Sequence, residues 1–139
     1  ADPPQPEALQ SLAKLYGTLG LPQRAQVQFE RYLAQRPQAL HERFELGMSL
    51  LEQGQPEQAL QQWQAVLQQQ AGYPPALYFS AVALAGQSQQ EEACRCLDEL
   101  FAVSAPDNVY HERGLALAQR LQHTPPPLQT AALLPQATH

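Results

Sequence analysis

The sequence predicts an all-α fold: a solenoid of antiparallel helix pairs. Three observations predict it. First, a period of 34 residues runs through the chain. Gly20, Gly54 and Ser88 share one column, Ala25, Ala59 and Ala93 a second, and Phe29, Trp63 and Leu97 a third. Three further columns keep the register: Leu12, Leu46 and Ser80; Tyr16, Leu50 and Leu84; Leu33, Leu67 and Phe101. A fixed period of this length is the mark of a stacked repeat architecture. Second, apolar residues within each copy recur at spacings of three and four, the period of an amphipathic helix. Third, Gly and Pro punctuate each copy where one helix must stop and the next begin.

The elements follow in order. Residues 1–5 form an N-terminal extension. A helix over 7–19 carries Leu9, Leu12, Ala13 and Tyr16 on one face. Gly20-Leu21-Pro22 ends it and opens a helix over 23–36 with Ala25, Phe29, Tyr32 and Leu33; Pro37 stops that one. Leu46, Gly47 and Leu50 mark the third helix, 40–53, and Gly54-Gln55-Pro56 the next break. Ala59, Trp63 and Leu67 mark the fourth, 57–70, which ends before Pro74-Pro75. The fifth, 75–86, holds Leu77, Ala81 and Leu84, and Gly86-Gln87-Ser88 closes it. The sixth, 90–103, opens on Glu91-Glu92, which suit a helix dipole, and stops before Pro106. The seventh, 108–122, has Asp107 or Asn108 as its N-cap. With Glu112, Arg113, Gln119 and Arg120 outward and Leu115, Leu117, Ala118 and Leu121 for packing, it reads as a capping helix. The Pro-rich tail 123–139 cannot continue it; the tail's Leu128, Leu133 and Leu134 could dock on this chain or on a partner.

Composition narrows the function classes. The chain has 139 residues, 44% hydrophobic and 15% charged, with a formal net charge of −5. That is enough for one buried core and too little for two ordinary domains. Its 23 Gln stand against a single Lys, Lys14, so its polarity comes mostly from uncharged amides. No run of about 18 apolar residues occurs, so no membrane span is expected. The acidic balance opposes nonspecific nucleic-acid binding, which needs clustered Lys and Arg.

These residues resemble the tetratricopeptide repeat family. The family's unit favours a large residue at position 4, then Leu, a small residue and Tyr at positions 7, 8 and 11. It favours Gly at 15, Ala at 20, an aromatic at 24 and Pro at 32. In unit 6–39, Leu12, Ala13, Tyr16, Gly20, Ala25, Phe29 and Pro37 fit. In unit 40–73, Leu46, Gly47, Gly54, Ala59 and Trp63 fit, while Arg43 and Ala71 depart. In unit 74–107, Leu77, Ala81, Leu84 and Ala93 fit, while Ser80 and Ser88 depart. The resemblance implies one domain, 6–122, of three repeats and a capping helix.

No catalytic, cofactor or metal-binding constellation stands out. There is no Gly-rich phosphate loop, nucleophile elbow or zinc helix. His41, His111, His123 and His139 fall at no metal-ligand spacing, and Cys94 and Cys96 have no second pair. Residues two apart on a helix point to different sides, so these two cysteines are expected as packing thiols and not as a disulfide. The chain is therefore expected to be a non-enzyme without cofactor.

The resemblance implies instead a concave groove lined by the first helix of each pair. It puts Lys14, Phe44, Glu45, Met48 and Leu51 there, then Tyr78, Phe79 and Val82, with Arg113 from the cap. Phe44, Met48, Leu51, Tyr78, Phe79 and Val82 would make an apolar patch edged by carboxylates, and exposed apolar patches mark partner sites. The Lys/Arg/Asn set with which chaperone-binding members hold a C-terminal carboxylate is missing except for Lys14. The expected function is protein–protein interaction, as an adaptor, chaperone or assembly factor holding an apolar peptide segment. The alternatives are a structural or oligomerisation piece of a larger envelope protein, a groove closed by the chain's own tail, and self-association through groove or tail. Ala-Asp-Pro-Pro at the start, with low charge and many Gln, points to an exported, signal-cleaved bacterial protein; two unpaired cysteines point to a reducing cytoplasm.

Overall fold

A computed structural model describes residues 4–126. The described residues hold seven helices: α1 (Pro6–Thr18), α2 (Pro22–Gln35), α3 (Leu40–Glu52), α4 (Pro56–Gln69), α5 (Pro74–Gly86), α6 (Gln90–Val103) and α7 (Val109–Arg120). Each lies within two residues of its expected span. The expected docking of Leu128, Leu133 and Leu134 lies outside the described residues. The chain divides into two compact units, 1–76 and 77–139, with the division inside α5.

Helix ends explain the register. Pro occupies the first turn of α1, α2 and α4, where its missing N–H costs no helical bond. Asn108 caps α7, its side chain accepting from Tyr110 N at 2.8 Å. At the C-terminal ends, Gly20 and Gly54 take left-handed backbone, φ 73° and 76°. Ser88 does so without being glycine, φ 63°, while Gly86 remains inside α5. A fourth such residue is Gln122, φ 57°. The N–H of the following residue closes each turn on a carbonyl five residues back: Leu21 to Tyr16, Gln55 to Leu50, Gln89 to Leu84 and His123 to Ala118. All four turns are 34 residues apart. So α7, expected only as a cap, ends as the first helix of a fourth unit ends.

In the first unit α1 packs on α2, α2 on α3, and α3 on α4. Ala13, Ala25, Ala59 and Trp63 are fully buried. Gly47 lets the Trp63 indole lie against α3: an added Cβ would meet its Cε2 at 2.7 Å. The indole Nε1 donates to the Phe44 carbonyl at 3.1 Å. In the second unit α7 lies on α6, with Gly114 over Leu100 and the buried His111 ring 5.2 Å from that of Phe101. Ser104 Oγ donates to the Leu100 carbonyl and sits 2.9 Å from His111 Nδ1. His123 Nε2 pairs with Asp98 at 2.8 Å.

Candidate functional site

The first unit opens into a cavity of about 690 Å³ between α1 and α3. Helix periodicity puts Gln10, Lys14 and Thr18 on its α1 wall, and His41, Glu45, Met48 and Glu52 on its α3 wall. Ala13 and Phe29 close its floor. Glu42 is buried at its edge and accepts from Gln10 Nε2 at 2.6 Å.

Three carboxylates against Lys14 and His41 make this wall acidic. Burial pushes the Glu45 carboxyl above its ordinary range, for a charged carboxylate loses solvation there. His41 works against that shift, and the neighbouring Glu52 and Glu42 add to it. Glu45 is thus a carboxylate short of water, facing an open space, with His41 opposing the repulsion from Glu52 and Glu42.

Of the expected groove residues, Lys14, Glu45 and Met48 line this cavity. Leu51 is half-buried and lies outside its lining. Phe44 is a correction. It is only 5% exposed, its ring 6.3 Å from that of Trp63 and 6.2 Å from that of Tyr73. The small side of α3 at Gly47 draws the indole in, and Phe44 packs beside it instead of facing solvent. The first-unit wall is accordingly polar where an apolar one was expected.

The apolar character sits in the second unit. Tyr78 and Phe79 are half-buried and meet edge to face, ring centres 4.9 Å apart. Tyr110 joins them at 5.9 and 6.2 Å, and the Arg113 guanidinium lies 5.7 Å from the Tyr110 ring centre. Such pairs and a cation over an aromatic face are mutually attractive. Val82 is half-buried. Sequence reasoning missed Tyr110 and the buried Glu42; an aromatic two residues after an N-cap, in register with Glu42 of α3 by two repeat lengths, is the signal that would have found both.

Neither thiol is poised for chemistry. Burial first, and then Glu99 and Glu92, push Cys96 up to about 11, and burial with Asp98 also raises Cys94. No group of three His, Cys, Asp or Glu able to hold a metal ion occurs among the described residues. No helix among them is long and apolar enough to cross a membrane.

Comparison with known proteins agrees with this architecture. The tetratricopeptide repeat family matches residues 11–74 and 44–95, and the chain belongs to that family. Among solved structures it is similar to YrrB, described as a TPR protein with an unusual peptide-binding site. That match has a TM-score of 0.75 at 25% identity over 84% of this chain and 58% of YrrB. It is also similar in fold to MamA, with a TM-score of 0.75 at 18% identity over 86% of this chain and 69% of MamA. The chain thus spans less than two thirds of YrrB. No curated protein matches it in sequence. The fold is that of a protein–protein interaction module, and members of the family are generally non-catalytic and bind protein or peptide partners.

Proposed function

We propose that the chain is a non-catalytic adaptor or assembly factor that holds a segment of a partner protein against α1 and α3, the first helices of the repeats in its first unit. The observation that carries this reading is the open cavity between α1 and α3, with Glu45 half-buried in its wall. A Lys or Arg side chain of the segment would add counter-charge to that poorly solvated carboxylate, and Met48 adapts to the neighbouring aliphatic carbons. The second unit, taken by itself, offers a separate apolar surface in its Tyr78, Phe79 and Tyr110 cluster. The likeness to YrrB supports peptide binding as the general mode.

A displayed random-peptide library tests it. Selected peptides should carry a basic residue next to an apolar one. Glu45→Lys should weaken them by about tenfold or more, the equivalent of about 1.4 kcal/mol. Peptides without basic residues, or undiminished binding to Glu45→Lys, refute the reading.

A further inference from the structure

The aromatic surface of the second unit has a particular chemistry at its edge. The rings of Tyr78 and Phe79 on α5 and of Tyr110 on α7 hold one another in place, so little freedom is left for them to lose on binding. Val109, 50% exposed, stands one turn before Arg113 on α7 and carries the apolar surface towards the guanidinium.

The polar groups at this edge are of one kind. Arg113 is exposed, meets the face of the Tyr110 ring, and has no ion pair or hydrogen bond among the described residues. Its neighbours Asp107 and Glu112 are exposed as well and do not pair with it. The Tyr78 and Tyr110 hydroxyls also lack a hydrogen-bond partner among the described residues. Only Ser80 is both buried and unpartnered there, so both phenols reach water. A guanidinium can only donate, and phenols donate readily. The edge therefore gathers donors with no strong acceptor beside them.

The charge decides what fits. A basic segment would be repelled by Arg113. A wholly apolar one would cover the guanidinium and strip its water without pairing it. A carboxylate next to an apolar side chain satisfies both parts of the surface. The spacing is set as well. The guanidinium lies 5.7 Å from the Tyr110 ring centre, and that centre lies 5.9 Å from the Tyr78 ring centre. Residues two apart in an extended segment share a face and stand about 6.5 Å from each other.

We infer that this surface is a recognition site in its own right, for an extended acidic segment of a partner protein with Asp or Glu two residues from a large apolar side chain. The carboxylate accepts from Arg113, and the apolar side chain lies over the Tyr78 and Tyr110 rings. The inference concerns the second unit alone and is independent of the α1–α3 reading, whose segment is basic.

The test titrates the whole chain, isotope-labelled for NMR, with the peptide Ser-Gly-Glu-Ser-Leu-Gly-Ser and with counterparts carrying Lys or Ser in place of Glu. The Glu peptide should shift the amides of Tyr78, Tyr110 and Arg113 and leave those of Gln10 and Glu45 in place. The counterparts should bind more weakly by about fivefold or more, and added salt should narrow that difference. Arg113→Glu, at an exposed position that the fold does not need, should reverse the preference so that the Lys peptide binds better than the Glu peptide. Equal binding of all three peptides, shifts confined to α1 and α3, no saturable shift up to millimolar peptide, or an Arg113→Glu chain that still prefers Glu each overturns the proposal. A dimer in sedimentation that Arg113→Glu dissolves and the Glu peptide does not displace overturns it too, assigning the surface to a second copy.

Discussion

Replacing Gly47 with alanine adds one methyl group where the Trp63 indole already lies against α3. Two effects oppose each other. Alanine is the better helix former by about 1 kcal/mol. Against this, the new Cβ would sit 2.7 Å from Cε2 and 2.8 Å from Cδ1 of an indole with no exposed surface to retreat to. Overpacking of this kind costs about 1–3 kcal/mol. Displacing the ring also strains its 3.1 Å hydrogen bond to the Phe44 carbonyl, worth about 1 kcal/mol. The overlap wins, and Gly47→Ala should be destabilised by about 1–3 kcal/mol, a fall in midpoint of about 4–12 °C for a chain of this size. Trp63 is the sole tryptophan, so fluorescence reads the site directly: native emission should shift towards that of a more hydrated indole. Gly17→Ala is the control, since a Cβ there meets nothing within 4 Å, and it should be neutral or stabilising. A Gly47→Ala chain as stable as its parent, with unchanged emission, refutes the close-approach reasoning.

Three further outcomes are expected. Ser88 holds left-handed backbone at a cost that glycine does not bear, so Ser88→Gly should raise the denaturant midpoint, by about 0.5–1 kcal/mol in stability. The Ser80 hydroxyl is buried without a hydrogen-bond partner among the described residues, so Ser80→Ala should stabilise by about 1 kcal/mol in the same assay. Glu45 titrates above its unfolded range, so it favours the folded state when protonated and weakens it when charged. Glu45→Gln should therefore raise the thermal midpoint at pH 7, and the gain should vanish as pH falls below about 4, the unfolded carboxyl value.

The helices and their order were legible because the period and the helix breaks are local signals. The 34-residue columns needed only Gly20, Gly54, Ala25, Ala59 and the aromatic column at Phe29 and Trp63. Gln122 escaped because a left-handed turn usually announces itself with glycine or asparagine; here the turn is held by the His123 N–H to Ala118 bond, which no residue type signals. The candidate site was only half legible. The family resemblance assigned Lys14, Glu45 and Met48 to the first-helix wall. It could not foresee that Gly47 admits an indole and so turns Phe44 inward. Phe44→Arg thus tests folding and not recognition, since burying an unpaired guanidinium beside Trp63 disrupts the core.

The 23 glutamines take on a different role once the contacts are known. Gln35 bonds the Pro4 carbonyl, Gln69 the Gln38 carbonyl, Gln53 the Gln26 side chain, and Gln90 the Leu121 carbonyl, each tying a helix to the chain 27 or 31 residues away. In many soluble proteins surface helices are tied by Lys–Glu pairs, which salt screens and which contribute little when exposed. Amide bonds between helices carry no net charge and so leave the electrostatic field to the few charges that remain. Near α1 and α3 those are Glu42, Glu45 and Glu52 against Lys14. Because the staples are neutral, ionic strength should act on recognition at this wall much more than on the stability of the helices that build it. The glutamine-rich, lysine-poor surface thereby separates what holds the repeats together from the charges to which the proposed function assigns the choice of partner.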